Sequence, residues 1–218
     1  MTPRIVVLTA VSCLWCCALL FVPVAETPHT LFLVWNLFLA GLPLVFAGAL
    51  ERMPSTAWGL LVGLVWLMFF PNAPYLITDL VHIKDREGIP VWFDLLVYLS
   101  FGLVGLWMGF VSLQIAQTWV SQRTSERFGW CFAVAVLWLS GFGIYLGRFR
   151  RWNSWDLLHR PLAVFEDVAA RLVDPASHAR TWGVTLGFGG TFVLAYLFWR
   201  LGGPHARTAG VDAAHRAR

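Results

Sequence analysis

The sequence predicts an all-α membrane protein, a polytopic bundle of about six spanning helices with one further amphipathic helix lying on the membrane surface. Two observations support this fold class. Of the 218 residues, 58% are hydrophobic and 13% are charged, whereas a soluble domain carries about a quarter charged residues. Windows of about 20 mostly apolar residues, the length that one helical crossing needs, fill nearly the whole chain. This distribution leaves no room for a soluble catalytic domain.

The predicted spans follow from the apolar windows and from the residues that end them. Pro23 closes the first span, and the polar residues 51–54 close the second. The third reads as continuous helix only to Phe70, because Pro71 and Pro74 lack the amide hydrogen that a helix interior needs. The predicted spans are residues 5–24, 30–50, 56–70, 90–118, 128–147 and 182–199.

A more polar stretch between the last two spans contains the predicted surface helix. Pro161 is suited to its first turn, and Asp174 followed by Pro175 is a stop signal. One face of this helix is apolar, formed by Leu162, Phe165, Val168, Ala169 and Leu172. We expect residues 1–201 to form a single transmembrane domain and residues 202–218 to form a basic, disordered tail.

The net charge of +4 fits anchoring in membrane lipids better than binding of nucleic acid, because the arginines sit at segment ends and in the tail. We expect lipids as partners and no nucleic acid, and the sequence leaves a protein partner open. Lys and Arg divide equally between the two faces. If Arg148, Arg150 and Arg151 serve a site, the remaining charges favour a cytoplasmic N-terminus.

Two polar motifs interrupt the apolar pattern, at residues 70–82 (FPNAPYLITDLVH) and 147–159 (GRFRRWNSWDLLH). Two long apolar segments separate them, so the chain crosses the bilayer twice and returns to the same face. This parity predicts that the two motifs are neighbours and form one candidate site.

Each motif contains Asp-x-x-His, formed by Asp79 with His82 and by Asp156 with His159. Carboxylate and imidazole ligands suit zinc, iron or manganese, so one interpretation is a divalent metal site built from these four residues. The alternative is chance, since polar residues collect at a membrane edge. Whether the protein is an enzyme is left open. If it is, Asp79 or His82 is the candidate general base.

The second motif is rich in arginine and tryptophan. Guanidinium groups match phosphate in bidentate geometry, which predicts a site for an anionic lipid or a phosphorylated amphiphile. The alternative is an interfacial belt of tryptophans and snorkelling arginines. With Asn72 from the first motif, the candidate ligand-binding residues are Arg148, Arg150, Arg151, Trp152, Asn153, Trp155 and Asp156.

The proline-broken third span supports a different function. Asn72 lies between Pro71 and Pro74, and interrupted helices in transporters present free carbonyls to ions. Transport of an ion or a small solute is therefore an alternative. A non-catalytic role, in which the motifs dock another membrane protein, is a third.

Two segments carry a resemblance to a known family. They are residues 70–82 and the run 141–156 (GFGIYLGRFRRWNSWD), which includes most of the second motif. Both resemble an uncharacterised bacterial membrane family known as domain of unknown function 1361. The resemblance covers most of the chain, from the second span to the last. It implies a multi-pass bacterial membrane protein, and it implies no activity, ligand or catalytic residue. We expect the protein in the cytoplasmic membrane.

Overall fold

The protein is a bundle of helices, seen here in a computed structural model that describes residues 2–22, 31–53, 55–84 and 89–202. The predicted all-α fold class is confirmed. The helices are α1 (Pro3–Leu19), α2 (Leu31–Leu50), α3 (Thr56–Phe69), α4 (Asn72–Tyr75), α5 (Val91–Arg123), α6 (Glu126–Arg150), α7 (Asp156–His159), α8 (Pro161–Val173) and α9 (Ala179–Gly202), with 3₁₀ turns at Leu76–His82 and Ala176–His178.

Five helical segments of the described residues are long and apolar enough to cross a membrane, which makes this a multi-pass membrane protein. They are Leu31–Leu50, Thr56–His82, Val91–Arg123, Glu126–Arg150 and Ala176–Gly202. The predicted first span, residues 5–24, corresponds to the apolar α1, which has 17 residues and is therefore about 26 Å long, just short of a hydrocarbon core of about 30 Å. Residues 23 and 24 of that prediction, and residues 203–218 of the predicted tail, lie outside the described residues.

The third span breaks where the prolines predict. α3 ends at Phe69, and α4 and the 3₁₀ turn continue the chain towards the membrane surface. Backbone carbonyls released at the break need partners, because lipid offers none. The carbonyl of Phe69 accepts a hydrogen bond of 2.9 Å from the Asn72 side chain, and that of Met68 accepts one of 3.4 Å from the Ser154 hydroxyl. The second polar motif thus supplies a hydrogen-bond donor, Ser154, to a backbone carbonyl at the break.

Glycines allow the broken segment to lie close to its neighbours. A Cβ atom at Gly105 would lie 2.7 Å from the carbonyl oxygen of Ala73, and one at Gly143 would lie 3.0 Å from the Cβ of Pro71. Because contacts this short require a missing side chain, α5 and α6 hold residues 71–77 in a tight cradle. The glycines of this cradle are Gly102, Gly105 and Gly109 in α5 and Gly143 and Gly147 in α6.

The side of α8 that faces the bundle carries the ion-pairing residues Asp167 and Arg171 together with one apolar residue, Val164. Arg171 is 4% exposed, whereas Leu162 is 75% and Phe165 62% exposed. The apolar face that the sequence predicts therefore points away from the protein. This orientation is the one expected of an interfacial helix whose apolar face enters the boundary of the acyl chains.

Candidate functional site

The two polar motifs are in contact, as their parity predicts. Asn72 donates a hydrogen bond of 3.1 Å to the Ser154 hydroxyl, and the guanidinium of Arg148 lies 2.5 Å from the Asp79 carboxylate. The first contact joins α4 to the loop after α6, and the second joins the 3₁₀ turn to the last turn of α6.

Asp79 and Arg148 form an ion pair at the centre of this face. Asp79 is 1% exposed, and its Oδ1 accepts the hydrogen bond from Arg148 Nη2. Its Oδ2 accepts one of 3.0 Å from Asn36 of α2. The same Nη2 lies 2.6 Å from Thr78 Oγ1, and the guanidinium carbon lies 4.6 Å above the Tyr75 ring. Three segments of the chain therefore combine to neutralise one buried carboxylate.

His82 lies at the edge of this ion pair. Its Nε2 is 3.0 Å from Nη1 of Arg148 and 4.0 Å from Oδ1 of Asp79, and its side chain is 42% exposed. Because a guanidinium has donors only, this nitrogen must act as the acceptor, which requires a neutral imidazole. The ring packs edge-on against Phe32 with centroids 5.4 Å apart. His82 thus lies between the buried ion pair and the surface of the protein.

A second charged cluster attaches α8 to the end of α6. Asp167 accepts hydrogen bonds of 3.1 and 2.9 Å from Nε and Nη2 of Arg150 and one of 2.8 Å from the Trp152 indole. Arg171, one turn along α8, approaches the same carboxylate to 2.7 Å. Burial raises the pKa of Asp167, but the hydrogen bonds from these three donors outweigh it and lower the pKa below its usual value. We call these four residues the α8 cluster.

Arg151 and Arg160 differ from the other arginines of this face. Arg151 ends α6 in the left-handed conformation, with φ 59°, and its side chain is exposed. The guanidinium of Arg160 lies 5.7 Å from the Trp152 ring. No carboxylate in the described part of the chain pairs with either. Both are therefore cations whose charge is not matched within the described structure.

A family profile described as "Protein of unknown function (DUF1361)" matches residues 35–195. The chain belongs to this family. The DUF1361 match begins next to Asn36 and includes both polar motifs and the α8 cluster. No curated protein and no solved structure matches the chain.

Within the DUF1361 segment, two of the remaining predicted residues, Asp156 and Trp155, have structural partners. Asp156 accepts a hydrogen bond of 2.7 Å from the backbone amide of Asn153. Trp155 packs edge-on against Phe69 with centroids 5.4 Å apart. His159 is exposed at the end of α7.

The four residues of the metal hypothesis do not converge. Asp79 is engaged by Arg148 and Asn36, while Asp156 is engaged in its own loop. Across the described ranges, no three His, Cys, Asp or Glu residues are placed to hold a metal ion. Each oxygen of Asp79 accepts one hydrogen bond, and its role as a general base stays a prediction.

Sequence reasoning missed Asn36, Asp167 and Arg171 as members of this site. Apart from the indole of Trp35, Asn36 has the one side chain with hydrogen-bonding groups in α2, and such a residue inside a span is a functional-site signal. Asp167 and Arg171 have the i, i+4 spacing of a helical ion pair. Neither pattern identifies the partner on another helix.

Proposed function

We propose that this protein binds an anionic lipid or a phosphorylated amphiphile on the face that carries the two polar motifs, in a bacterial cytoplasmic membrane with the N-terminus in the cytoplasm. The observation that supports this proposal is the placement of Arg151 and Arg160, which have no carboxylate partner among the described residues. Arg160 directly precedes α8, and Arg151 lies between Arg150 and Trp152, which both bind Asp167 of α8. The apolar face of this helix is directed away from the protein.

The charge pattern assigns different roles to the arginines. The charge of Arg148 is matched by Asp79, so this residue holds the site together. Arg150 and Arg171 share one carboxylate, which leaves the α8 cluster with one more cation than anion. Arg151 and Arg160 add two further positive charges and Asp156 of the same motif adds one negative charge, so two positive charges remain in excess. An anionic headgroup would balance this excess.

The apolar surface of α8 suits the other end of an amphiphile. Leu162 and Phe165 are exposed on one side of the helix, close in sequence to Arg160. A headgroup at Arg151 and Arg160 would place acyl chains along this side. Trp152 and Trp155 would set the depth, since tryptophan prefers the headgroup level of the bilayer.

Native mass spectrometry of the full chain, titrated with short-chain phosphatidylglycerol, tests the proposal. Each arginine near an anionic headgroup contributes about 1 kcal/mol, so the double variant Arg151→Ala/Arg160→Ala should bind about 30-fold more weakly. The variant Arg52→Ala/Arg127→Ala has the same net charge and should bind like the parent protein. Equal binding by all three proteins would exclude the assignment.

The buried ion pair in the proline-broken span favours a second candidate function, transport of an ion or a small solute. Proteoliposomes should then show flux that Asp79→Asn abolishes and that Asp156→Asn, a carboxylate change on the same face, preserves. Absence of flux in the parent protein would exclude transport.

A further inference from the structure

The opposite end of α6 contains a polar cavity that lies outside the site described above. It has a volume of about 280 Å³ and lies among the end of α5, the start of α6 and the end of α9. α6 has 25 residues, so about 38 Å of helix separates this cavity from Arg150.

Two opposite charges line this cavity without pairing. Glu126 occupies the first turn of α6, and the guanidinium of Arg200 lies 5.4 Å above the ring of Trp130. In the described part of the chain, Glu126 and Arg200 form an ion pair neither with each other nor with another residue. Both charges are thus available to a ligand that enters the cavity.

A buried amide completes the lining. Gln117 is 3% exposed, and its Oε1 accepts a hydrogen bond of 2.7 Å from the Tyr196 hydroxyl. This bond orients the side chain and leaves its NH₂ group, which has two donors, for the cavity. This NH₂ group can therefore donate a hydrogen bond to an acceptor on a ligand.

We propose that this cavity binds a small zwitterion, with its ammonium group at Glu126 and its phosphate or carboxylate at Arg200 and Gln117. A molecule with both charges a few bonds apart satisfies two side chains that do not reach each other. The volume is just below the usual range of ligand pockets, about 300–1,000 Å³, and is sufficient for a ligand of headgroup size. A phosphatidylethanolamine headgroup and a free zwitterion share this chemistry.

Binding measurements with matched ligands test the proposal. Free phosphoethanolamine is measured by calorimetry on the detergent-solubilised full chain, and short-chain phosphatidylethanolamine by native mass spectrometry. We expect binding of one or both, weakened about tenfold or more in Glu126→Gln and in Arg200→Gln. Arg127→Gln removes a neighbouring arginine that does not line the cavity and should change nothing.

The set of ligands distinguishes a lipid headgroup from a free zwitterion, and it tests the ammonium and the anionic group one at a time. Binding of the lipid alone identifies a membrane headgroup, and binding of free phosphoethanolamine identifies the zwitterion itself as sufficient. Ethanolamine lacks one charge and should bind at least tenfold more weakly than phosphoethanolamine. The two lipids are compared in the Arg151→Ala/Arg160→Ala background, where binding at the motif face is weakened, and there phosphatidylglycerol, which lacks the ammonium charge, should bind at least tenfold more weakly than phosphatidylethanolamine. No binding of either zwitterion, or binding that both variants retain, would overturn the proposal. Thermal unfolding of each variant verifies that it is folded.

Discussion

The Asp79–Arg148 pair illustrates how a single buried charge organises the site. A buried ion pair adds little net stability, because the charges lose their hydration, but removing one partner is costly. Asp79 has a hydrogen bond from Asn36 on its second oxygen and the guanidinium on its first. The pair therefore determines where the two polar motifs meet more than it determines how stable the fold is.

Replacing one member of this pair should destabilise the protein more than replacing both. Arg148→Gln leaves a buried carboxylate without its cation and should lower the free energy of unfolding by about 3–5 kcal/mol. Asp79→Asn/Arg148→Gln removes both charges and should recover much of that loss. Denaturant unfolding in detergent measures the difference. A double variant as unstable as the single one would show that the ion pair is not the cause.

At the scale of elements, α8 is held by its charges while its apolar face is left for the membrane. The α8 cluster supplies these contacts, through Asp167 to Arg150, Trp152 and Arg171. Docking of α8 should therefore depend on ionisation of Asp167.

Acid should release α8. The pKa of Asp167 in the folded protein lies below its ordinary value of 3.8, so its contribution is complete above that value and is lost as the pH falls through the lower, folded-state pKa. Spin labels at Lys84→Cys and Glu166→Cys should give a narrow distance distribution at neutral pH and a broad one below the folded-state pKa. Asp167→Asn should broaden the distribution at neutral pH already. A narrow distribution in that variant would contradict the role of the carboxylate.

The contact between α6 and α9 requires glycine at residue 141, which belongs to no Gly-x-x-x-Gly pair. A Cβ at Gly141 would lie 2.6 Å from the carbonyl oxygen of Thr185 and 2.8 Å from the amide nitrogen of Gly189. Gly63 belongs to a Gly-x-x-x-Gly pair with Gly59, yet a Cβ there would meet nothing within 4 Å. The spacing alone thus does not identify the glycines that packing needs.

Substituting these two glycines should have effects of opposite sign. Gly141→Ala forces backbone to move and should lower the free energy of unfolding by about 1–3 kcal/mol. Gly63→Ala should raise it by up to about 1 kcal/mol, since alanine favours helix. Denaturant unfolding under identical detergent conditions compares the two. Destabilisation of equal size would indicate that Gly63 also faces a neighbour.

For the whole molecule, α5 and α6 carry the chain across the membrane and back. The first motif precedes α5 and the second lies at the end of α6, so the two motifs come together on one face. Labelling by a membrane-impermeant maleimide should therefore show Lys84→Cys and Arg160→Cys on one side and Thr124→Cys on the other. All three positions are exposed. Labelling of Lys84→Cys and Arg160→Cys from opposite sides would contradict the shared site.

The sequence by itself determined the membrane class, the break at Pro71 and Pro74, the surface helix and the proximity of the two motifs. Each of these follows from a local property, such as apolar length or a missing amide, combined with the constraint that a chain crossing twice returns to its starting face. The residues of the first and second motifs could be named on this basis, but their individual roles could not.

Only the tertiary structure decided that Arg148 pairs with Asp79, that Arg150 and Arg171 share Asp167, and that Arg151 pairs with no carboxylate among the described residues. The same holds for Asn36 in the site and for Gly141 against α9. These pairings depend on how each helix is rotated about its own axis and on how deeply it lies beside its neighbours. Hydropathy constrains that rotation weakly in a membrane, because lipid and protein interior are both apolar and a helix gains little from turning one side inward.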